Sequence, residues 1–478
     1  MVTPILIHNL GAHTYGAWVL IGSMIGYASL FDFGVGLAAM KMIAELSADK
    51  DKKKISELLS NAIITYAGMG LVIFAIGMSL LPFFSDIFNV PQNLRHDTNL
   101  AYLIVVIATG LTFMSAAFSA ALQGLHDFKI YNFVVMLQTI LAAGGSIVTV
   151  KLGGGLIDLS IVYGVSCVLG LLIKAYWVII RHKIAVAPHH ISKPTFKRML
   201  SFSSSVFVIN VGSRIIFDTD AILIGHFLGT QSVAAYQVAL GPGTALRKVG
   251  DQLNSITLTT SSKLHSEKDT AALQKLLLEA TRFTLVLMVP IILVIIVVGK
   301  DFIRLWVGEA FVHSYASLVI LAIGLTIVNI QSTSSQVILA LNKHARLAKV
   351  IMMEATANLV LSIVLLHRYG ITGVALGTAI PTCFTALCYS LPAASRLIGL
   401  KLRLIGKIVM ELLLVIAITV PLLVLVAHHI HFTNLVQILL LGAVYYAVYL
   451  TVLLGVSKDF RAYGTRAFSK LAGKGSVA

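Results

Sequence analysis

Charged residues are scarce in this chain of 478 residues. Only 12% of the residues are charged and 58% are hydrophobic, whereas a typical soluble domain has about 25% charged residues. A chain so poor in charge cannot cover a water-facing surface, which excludes a soluble globular protein. The composition instead predicts an all-α integral membrane protein, because helices satisfy their own backbone hydrogen bonds inside a bilayer.

Cysteine is also rare, and familiar catalytic motifs are missing. The three cysteines, Cys167, Cys383 and Cys388, fall in apolar stretches, so neither a disulfide framework nor a metal site is expected. The sequence has no GxxxxGK[ST] loop for a nucleotide phosphate and no HExxH, GxSxG or CxxC motif. We therefore expect no enzyme activity and no cofactor. The start, MVTPILIHNL, lacks the basic segment and cleavage site of a signal peptide.

Long apolar runs, by contrast, recur along almost the whole chain. A transmembrane helix needs about 20 predominantly apolar residues, and we predict about thirteen full spans, with no large domain outside the membrane. The runs lie at about 17–40, 61–84, 100–122, 133–150, 160–180, 202–227, 237–262, 283–299, 317–341, 350–367, 371–395, 408–427 and 435–456.

The positive charges are distributed unevenly between the predicted loops. With alternate loops assigned to one side, starting from 41–60, that side holds 27 of the 36 Lys and Arg residues and the other side holds 5. Cytoplasmic loops carry such an excess, which predicts a cytoplasmic C-terminus. Topology and attraction to anionic lipid headgroups account for the net charge of +16, so no nucleic-acid partner is expected.

A weak internal repeat divides the chain into two halves. HNLG at His8–Gly11 recurs as HFLG at His226–Gly229, and DKDKKKISELL at 49–59 resembles EKDTAALQKLL at 267–277, both at an offset of 218. The second half has a full span before HFLG and the first has only MVTPILIH, so we expect a truncated first helix. Parallel halves are common in transporters. The predicted domains are an N-terminal lobe at 1–200, a C-terminal lobe at 201–400, two extra helices at 401–456 and a cytoplasmic tail at 457–478.

Three segments resemble a known family of transporters. They read LGAHTYGAWVLIGSMIGYASLFDFGVGL at 10–37, ALQGLHDFKIYN at 121–132 and FDTDAILIGHFLGTQSVAAY at 217–236. In this order they resemble the polysaccharide transporter family of oligosaccharide flippases, within the multidrug/oligosaccharidyl-lipid/polysaccharide exporter superfamily. The resemblance runs to about residue 400, and the truncated first helix departs from it. It implies two six-helix lobes around a central cavity, two additional C-terminal helices, and movement of a lipid-linked oligosaccharide between leaflets by alternating access.

Charged side chains inside the predicted spans are the first candidates for function, because each costs roughly 2.5–3.5 kcal/mol on insertion scales. Arg214 with Asp218, and Arg247 with Asp251, are four residues apart, a spacing that lets two side chains meet on one helix face. They are either structural ion pairs or parts of a binding site. On the second interpretation Arg247 and Lys248 bind a pyrophosphate, which guanidinium groups suit well, and Arg214 is a further substrate contact.

Asp32 lies in the FDFG stretch of the first full span. One interpretation makes it a cap or kink partner beside Gly34 and Gly36. The other makes it a protonatable coupling site, a role for which Asp218 and Asp251 are also candidates.

The run NIQSTSSQ at Asn329–Gln336 is unusually polar for a membrane span. Its hydroxyls and amides either join helices or line a cavity that accommodates sugars. On the second interpretation Asn329, Gln331 and Gln336 are candidate substrate contacts.

Lys174, near the cytoplasmic end of its span, is expected to snorkel to the interface.

These features together favour a flippase for an isoprenoid-pyrophosphate-linked oligosaccharide in a bacterial plasma (inner) membrane, acting in surface polysaccharide biosynthesis. Its expected partners are that lipid, the membrane lipids and, as further candidates, a glycan polymerase or glycosyltransferases. The alternatives are a multidrug or cation antiporter of the same superfamily, a membrane-embedded glycan ligase or polymerase, and a non-transporting scaffold for glycan assembly. An antiporter calls for an excess of acidic cavity residues, whereas the central charges here are mixed to basic, and short outer loops disfavour the ligase.

Overall fold

The computed structural model describes residues 2–48, 51–186, 204–341, 343–457 and 460–461 of the chain. These residues are helical apart from turns and short connections, and they include no β-strand. The all-α fold class predicted from composition is therefore confirmed.

The helices of the described ranges follow one another with short connections. The α-helices are α1 (Val2–Leu10), α2 (Ala12–Ala28), α3 (Val35–Ala48), α4 (Lys52–Ile87), α5 (Arg95–Gly124), α6 (Phe128–Lys151), α7 (Leu156–Tyr176), α8 (Ser204–Leu228), α9 (Thr230–Ser266), α10 (Thr270–Val307), α11 (Tyr315–Ala340), α12 (His344–Thr385), α13 (Leu391–Leu397), α14 (Leu402–His429) and α15 (Leu435–Val456). Short 3₁₀ or π-helical turns lie at Ser29–Asp32, Gln92–Leu94, Trp177–Arg181, Glu309–Ser314 and Ala386–Ser390.

Ten helical segments of the described ranges are long and apolar enough to cross a bilayer. One of them, Ala345–Leu397, has 53 residues and covers two predicted spans. It is interrupted at Gly370, whose backbone is not helical, with a φ of +57°. The predicted spans 202–227 and 237–262 correspond to helices α8 and α9, which are not among the ten. Helix α8 has three charged residues close together, and α9 has many polar residues as well as charged ones. The multi-pass membrane architecture is thus confirmed.

The chain packs as two compact units. Unit 1 contains the chain up to Gln237 and the segment Ile351–Leu359, and unit 2 contains Val238–Val350 and the chain from Val360. Helix α8, which the sequence repeat assigns to the second half, packs against α2 inside unit 1. The domain limits inferred from the repeat stay a prediction.

Unit 1 is organised around helix α5, which packs against α3, α4 and α7, while α7 also packs against α6. Small residues allow close approach: a Cβ built on Gly70 would lie 2.9 Å from the carbonyl oxygen of Gly110, so α4 and α5 meet there through their backbones. A buried core joins α3, α5 and the segment after α7 through Ile43, Leu122 and Ile184.

Two aspartates begin helices of unit 1 by accepting backbone N–H groups that lack a partner within the helix. Asp51 accepts the N–H of Lys54 at 3.1 Å. This bond, together with the Lys54 ammonium, lowers the pKa of Asp51 below its ordinary value. Asp127 accepts a backbone N–H of α6 at 3.4 Å and the Nε1–H of Trp177 at 2.9 Å, and it lies 3.0 Å from Nε2 of His182. The turn after α7 is therefore fastened to the start of α6.

In unit 2, helix α10 packs against α11, α14 and α15, and α14 packs against α15. The hydroxyls of Thr419 and Tyr445 lie 3.1 Å apart between α14 and α15. Oε2 of Glu411 on α14 lies 4.0 Å from Nη2 of Arg282 on α10, and Oε1 of Glu411 lies 3.7 Å from Nζ of Lys407. The two C-terminal helices are thus held to each other and to α10 by polar contacts as well as by apolar packing.

Candidate functional site

A polar cavity of about 430 Å³ lies within unit 1. Its volume falls in the range of small-molecule sites, about 300–1,000 Å³. Helices α3 to α7 and the turn before α3 all contribute to its wall. The polar lining residues are Asp32, Tyr66, Thr112, Ser115, Ser119, Gln123, Gln138 and Lys174.

Asp32 lies at the break between α2 and α3, where Phe33 and Gly34 adopt positive φ angles of +46° and +76°. Its Oδ2 accepts the N–H of Gly34 at 3.1 Å, and its Oδ1 accepts the N–H of Gly36 at 3.4 Å. The Tyr66 hydroxyl of α4 also donates to Oδ1. These bonds are those of a cap beside a helix break. The coupling role of Asp32 stays a prediction, and its carboxylate does line the cavity.

The prediction that Lys174 snorkels to the interface is wrong. The residue is 6% exposed and lines the polar cavity. Its Nζ donates to Oγ of Ser115 on α5 at 3.3 Å. The physical reason is that α7 packs along α5, so a lysine on the contact face is enclosed by its neighbours before its side chain can reach the interface.

Two glutamines missed by sequence reasoning complete the polar lining. Nε2 of Gln138 donates to the carbonyl of Ser166 at 3.2 Å, and Nε2 of Gln123 donates to the carbonyl of Ser119 at 3.2 Å. Gly170 makes room for Gln138, because a Cβ built on Gly170 would lie 2.2 Å from Gln138 Nε2. Each amide also has a second N–H and an oxygen that can bind a ligand.

The predicted pairing of Arg214 with Asp218 is present in unit 1. Nη1 of Arg214 donates to Oδ2 of Asp218 at 2.6 Å, and the side chains are 40% and 25% exposed. The pair lies against α2 at Gly26, where a built Cβ would be 3.0 Å from Asp218 Oδ2. The ion pair accounts for both charges, and the substrate-binding role of Arg214 and the coupling role of Asp218 stay predictions.

The other charged candidates lie on α9 in unit 2. Arg247 is half-buried, and Lys248 and Asp251 are exposed. Gly250 lies among them and packs against α11, since a Cβ built on it would be 2.0 Å from Oδ1 of Asn329. Helix α9 therefore meets the polar run of α11 at Gly250, between Lys248 and Asp251 in the sequence. Binding of a pyrophosphate there stays a prediction.

Four of the eight residues in the polar run of α11 are buried in unit 2. Asn329, Gln331 and Thr333 are 1%, 8% and 1% exposed. The Thr333 hydroxyl donates to Oδ1 of Asn254 on α9 at 3.1 Å, so this part of the run joins two helices. The role of Asn329, Gln331 and Gln336 as sugar contacts stays a prediction.

An apolar cavity of about 560 Å³ lies between α10 and α15 of unit 2. Its lining includes Val294 and Phe302 of α10, Leu439 and Gly442 of α15, and Pro242 of α9. A lining of this kind suits a hydrocarbon chain, since burial of apolar surface is favourable and needs no directional partner.

The cysteines and metal-binding side chains form no further centre in the described ranges. The three cysteines are free thiols. Within the part of the chain that the structure describes, no group of three or more His, Cys, Asp or Glu residues is placed to hold a metal ion.

The sequence matches a protein family over more than half of its length. A family described as polysaccharide biosynthesis protein matches residues 10–316. A Shigella flexneri protein named provisionally as an O-antigen transporter is 24% identical, covering 80% of this chain and 90% of its own length. A Haloferax volcanii protein named provisionally as a low-salt glycan biosynthesis flippase is 22% identical, covering 78% of this chain and 75% of its own.

Two solved structures are similar in fold. The lipid II flippase MurJ in an inward closed conformation has a TM-score of 0.70 at 18% identity and covers 93% of this chain and 98% of its own. An inward-facing multidrug resistance transporter of the MATE family, in the MOP superfamily, has a TM-score of 0.70 at 15% identity, covering 83% of this chain and 93% of its own. These similarities show that the chain has the same fold as these two proteins.

Proposed function

The chain belongs to the polysaccharide biosynthesis protein family, and on that premise we propose that it flips a lipid-linked oligosaccharide across a membrane. The substrate would be an isoprenoid-pyrophosphate-linked oligosaccharide, moved by alternating access through the plasma (inner) membrane of a bacterium. The names of the Shigella and Haloferax relatives, which refer to an O-antigen and to glycan biosynthesis, support a glycan as the transported part. The observation that carries the proposal is the group of charged residues on α9 around Gly250, the residue at which α9 packs against Asn329 of the polar run of α11.

The headgroup site proposed for the pyrophosphate is formed by Arg247 and Lys248. Arginine can donate paired hydrogen bonds to phosphate oxygens, and lysine adds a second positive charge. Asp251, one turn further along α9, brings one negative charge to a segment that contains two positive ones. The excess of positive charge favours an anion. The amides of Asn329 and Gln331 on the facing helix have the donors and acceptors that sugar hydroxyls require.

The apolar cavity between α10 and α15 supports the lipid part of the proposed substrate. Its volume is about 560 Å³, and its lining by Val294, Phe302 and Leu439 is hydrophobic. An isoprenoid segment placed there would stay in apolar surroundings while its headgroup crosses. Polar and apolar parts of the substrate thus both have matching surroundings among the described residues of unit 2.

Coupling to an ion gradient is proposed for Asp32, with Asp218 and Asp251 as further candidates. The Asp32 carboxylate accepts hydrogen bonds from Gly34, Gly36 and Tyr66. Protonation would weaken these bonds, because a carboxylic acid is a poorer acceptor than a carboxylate. The break between α2 and α3 would then loosen, which links a proton to the geometry of a membrane helix.

The proposal is tested by flux in liposomes. The purified chain is reconstituted with a fluorescent lipid-pyrophosphate oligosaccharide, and a membrane-impermeant reagent reports exposure in the outer leaflet over time. Wild type is expected to accelerate exposure. Arg247→Ala should slow it by about ten- to a hundredfold, the effect of losing a charged hydrogen bond of roughly 1.5–3 kcal/mol. Arg247→Lys should lose less, since it keeps the charge.

The matched control is Arg396→Ala, which removes an exposed arginine on α13 and should leave flux unchanged. Folded wild type that does not move the lipid would refute the flippase proposal. Full flux by Arg247→Ala would refute the pyrophosphate role alone.

A multidrug or cation antiporter is the second candidate function, because the MATE-family structure matches this fold with the same TM-score as the flippase structure. Drug accumulation in cells that express the chain separates the two, since only an antiporter lowers it.

We further propose a cytoplasmic C-terminus, together with a glycan polymerase or glycosyltransferases as partners. Cross-linking in cells tests these partners.

A further inference from the structure

The polar cavity of unit 1 contains a buried positive charge that the proposed pyrophosphate and lipid sites do not use. Lys174 is 6% exposed, and its one hydrogen bond, to Ser115 Oγ, is 3.3 Å long. Among the described residues Lys174 forms no ion pair. A buried ammonium that forms no ion pair is costly, so its presence beside a cavity points to an anion that enters from outside the chain.

Several hydrogen-bond donors and acceptors in the cavity wall can bind a ligand in addition to the bonds they already form. An ammonium has three N–H donors, and Lys174 uses one of them on Ser115. Gln123 and Gln138 each donate once to a backbone carbonyl. Their remaining amide groups lie in the wall of the same cavity. This combination of one cation with neutral donors and acceptors matches a ligand with one negative charge and several hydroxyls.

Asp32 lies in the wall of the same cavity and restricts which anions can bind there. The negative charge of Asp32 would repel a dianionic phosphate in the cavity. A monoanionic sugar is repelled less, and its hydroxyls can donate to the Asp32 carboxylate. Asp32 already accepts three hydrogen bonds out of about four acceptor positions on a carboxylate, so one position remains.

We infer that this cavity binds the carboxylate of an acidic sugar, with Lys174 as its charge partner and Gln123 and Gln138 as contacts for the hydroxyls. The inference rests on the proposed function, since the sugar would belong to the transported glycan. It makes unit 1 a selectivity site for glycans that carry a uronic acid. This site is separate from the residues proposed for the pyrophosphate.

Direct binding to the purified full chain in nanodiscs tests the inference without any transport. The probes are glucuronate, glucose as its neutral analogue, and inorganic phosphate, titrated by saturation-transfer NMR. Wild type should bind glucuronate at least tenfold more tightly than glucose. Lys174→Gln should weaken glucuronate by about ten- to a hundredfold, and Lys174→Arg should retain part of the affinity. Lys151→Gln, at an exposed lysine of α6, should bind as wild type does.

Three outcomes would overturn the inference. They are equal binding of glucuronate and glucose by wild type, unchanged glucuronate affinity in folded Lys174→Gln, and binding of phosphate in preference to glucuronate. The first and third need no variant, so the inference stays testable if Lys174→Gln fails to fold.

A flux comparison separates this inference from the proposed function. Two fluorescent lipid-pyrophosphate oligosaccharides are used that differ only in one sugar, glucuronic acid or glucose. Lys174→Gln should slow the acidic lipid about tenfold more than the neutral one. Equal slowing of both would overturn the acidic-sugar site while leaving the flippase standing. If wild type moves neither lipid, the flippase proposal fails and the binding titration still decides on the site.

Discussion

A methyl group added at Gly16 of α2 has no room in unit 1. A Cβ built there lies 1.8 Å from the carbonyl oxygen of Thr230 and 2.6 Å from its carbonyl carbon. Backbone atoms cannot rotate aside as a side chain can. Gly16→Ala must therefore move α2 away from the start of α9 by roughly 1–2 Å to restore normal contact distances. The same shift would lengthen the 3.0 Å contact between His13 Nδ1 and Thr230 Oγ1.

The expected cost follows from two opposing effects. Overpacking of this kind destabilises by about 1–3 kcal/mol. Replacing glycine by alanine inside a helix gives back about 0.5–1 kcal/mol, because glycine loses more backbone entropy on folding. Gly22→Ala is the matched control: it lies on the same helix, is exposed, and has no atom within 4 Å of its built Cβ. The difference between the two variants isolates overpacking at about 1–3 kcal/mol.

The assay is reversible unfolding of both variants in mixed micelles, followed by circular dichroism as the fraction of denaturing detergent rises. Gly22→Ala should unfold at or slightly above the wild-type midpoint, and Gly16→Ala clearly below it. Equal midpoints for the two variants would refute the close contact between α2 and Thr230. A lower midpoint for Gly22→Ala would refute the reasoning about helix entropy.

Three further predictions use the same unfolding assay. Arg214→Ala should lower the free energy of unfolding by only about 1 kcal/mol, because solvent screens a partly exposed ion pair. A double-variant cycle with Asp218→Asn should show an interaction energy between the two side chains. No interaction energy would contradict the ion pair. Asp51→Asn removes a carboxylate whose pKa is below its ordinary value. The Asp51 carboxylate stabilises the wild-type protein fully at neutral pH, and this stabilisation is lost as the pH falls through the lowered pKa. The two proteins should then converge in acid, and a constant difference would count against the cap. Thr419→Val should cost about 1 kcal/mol through the lost hydrogen bond with Tyr445, and an unchanged midpoint would contradict that bond.

Local patterns in the sequence predicted those features that depend on neighbouring residues. The apolar runs gave the membrane helices, because length and composition alone decide whether a segment can cross a bilayer. The spacing of Arg214 and Asp218 gave their ion pair, because side chains four residues apart meet on one helix face. The FDFG stretch gave the cap bonds of Asp32, whose partners are two and four residues away.

The cavity of unit 1 was beyond such reasoning. Its polar residues come from α4, α5, α6 and α7 as well as Asp32, and no short pattern links them. Membrane helices are apolar on both lipid-facing and buried sides, so periodicity does not identify the side that faces a neighbour. Lys174 shows the consequence, since its position near a helix end predicted an interfacial residue and its packing against α5 made it a buried one.

Helices α8 and α9 differ in how their charges are offset, and this difference decides where the substrate anion should be sought. Three unpaired charges in one span would cost on the order of 8–10 kcal/mol, comparable to the whole stability of a domain. In α8 the charged groups have partners within unit 1: Arg214 forms an ion pair with Asp218, and Asp220 accepts a hydrogen bond from the Tyr236 hydroxyl. In α9, Lys248 and Asp251 are exposed, so water or a ligand must solvate them. The proposed pyrophosphate site therefore belongs on α9, because on α8 an anion would have to displace Asp218 from an existing ion pair.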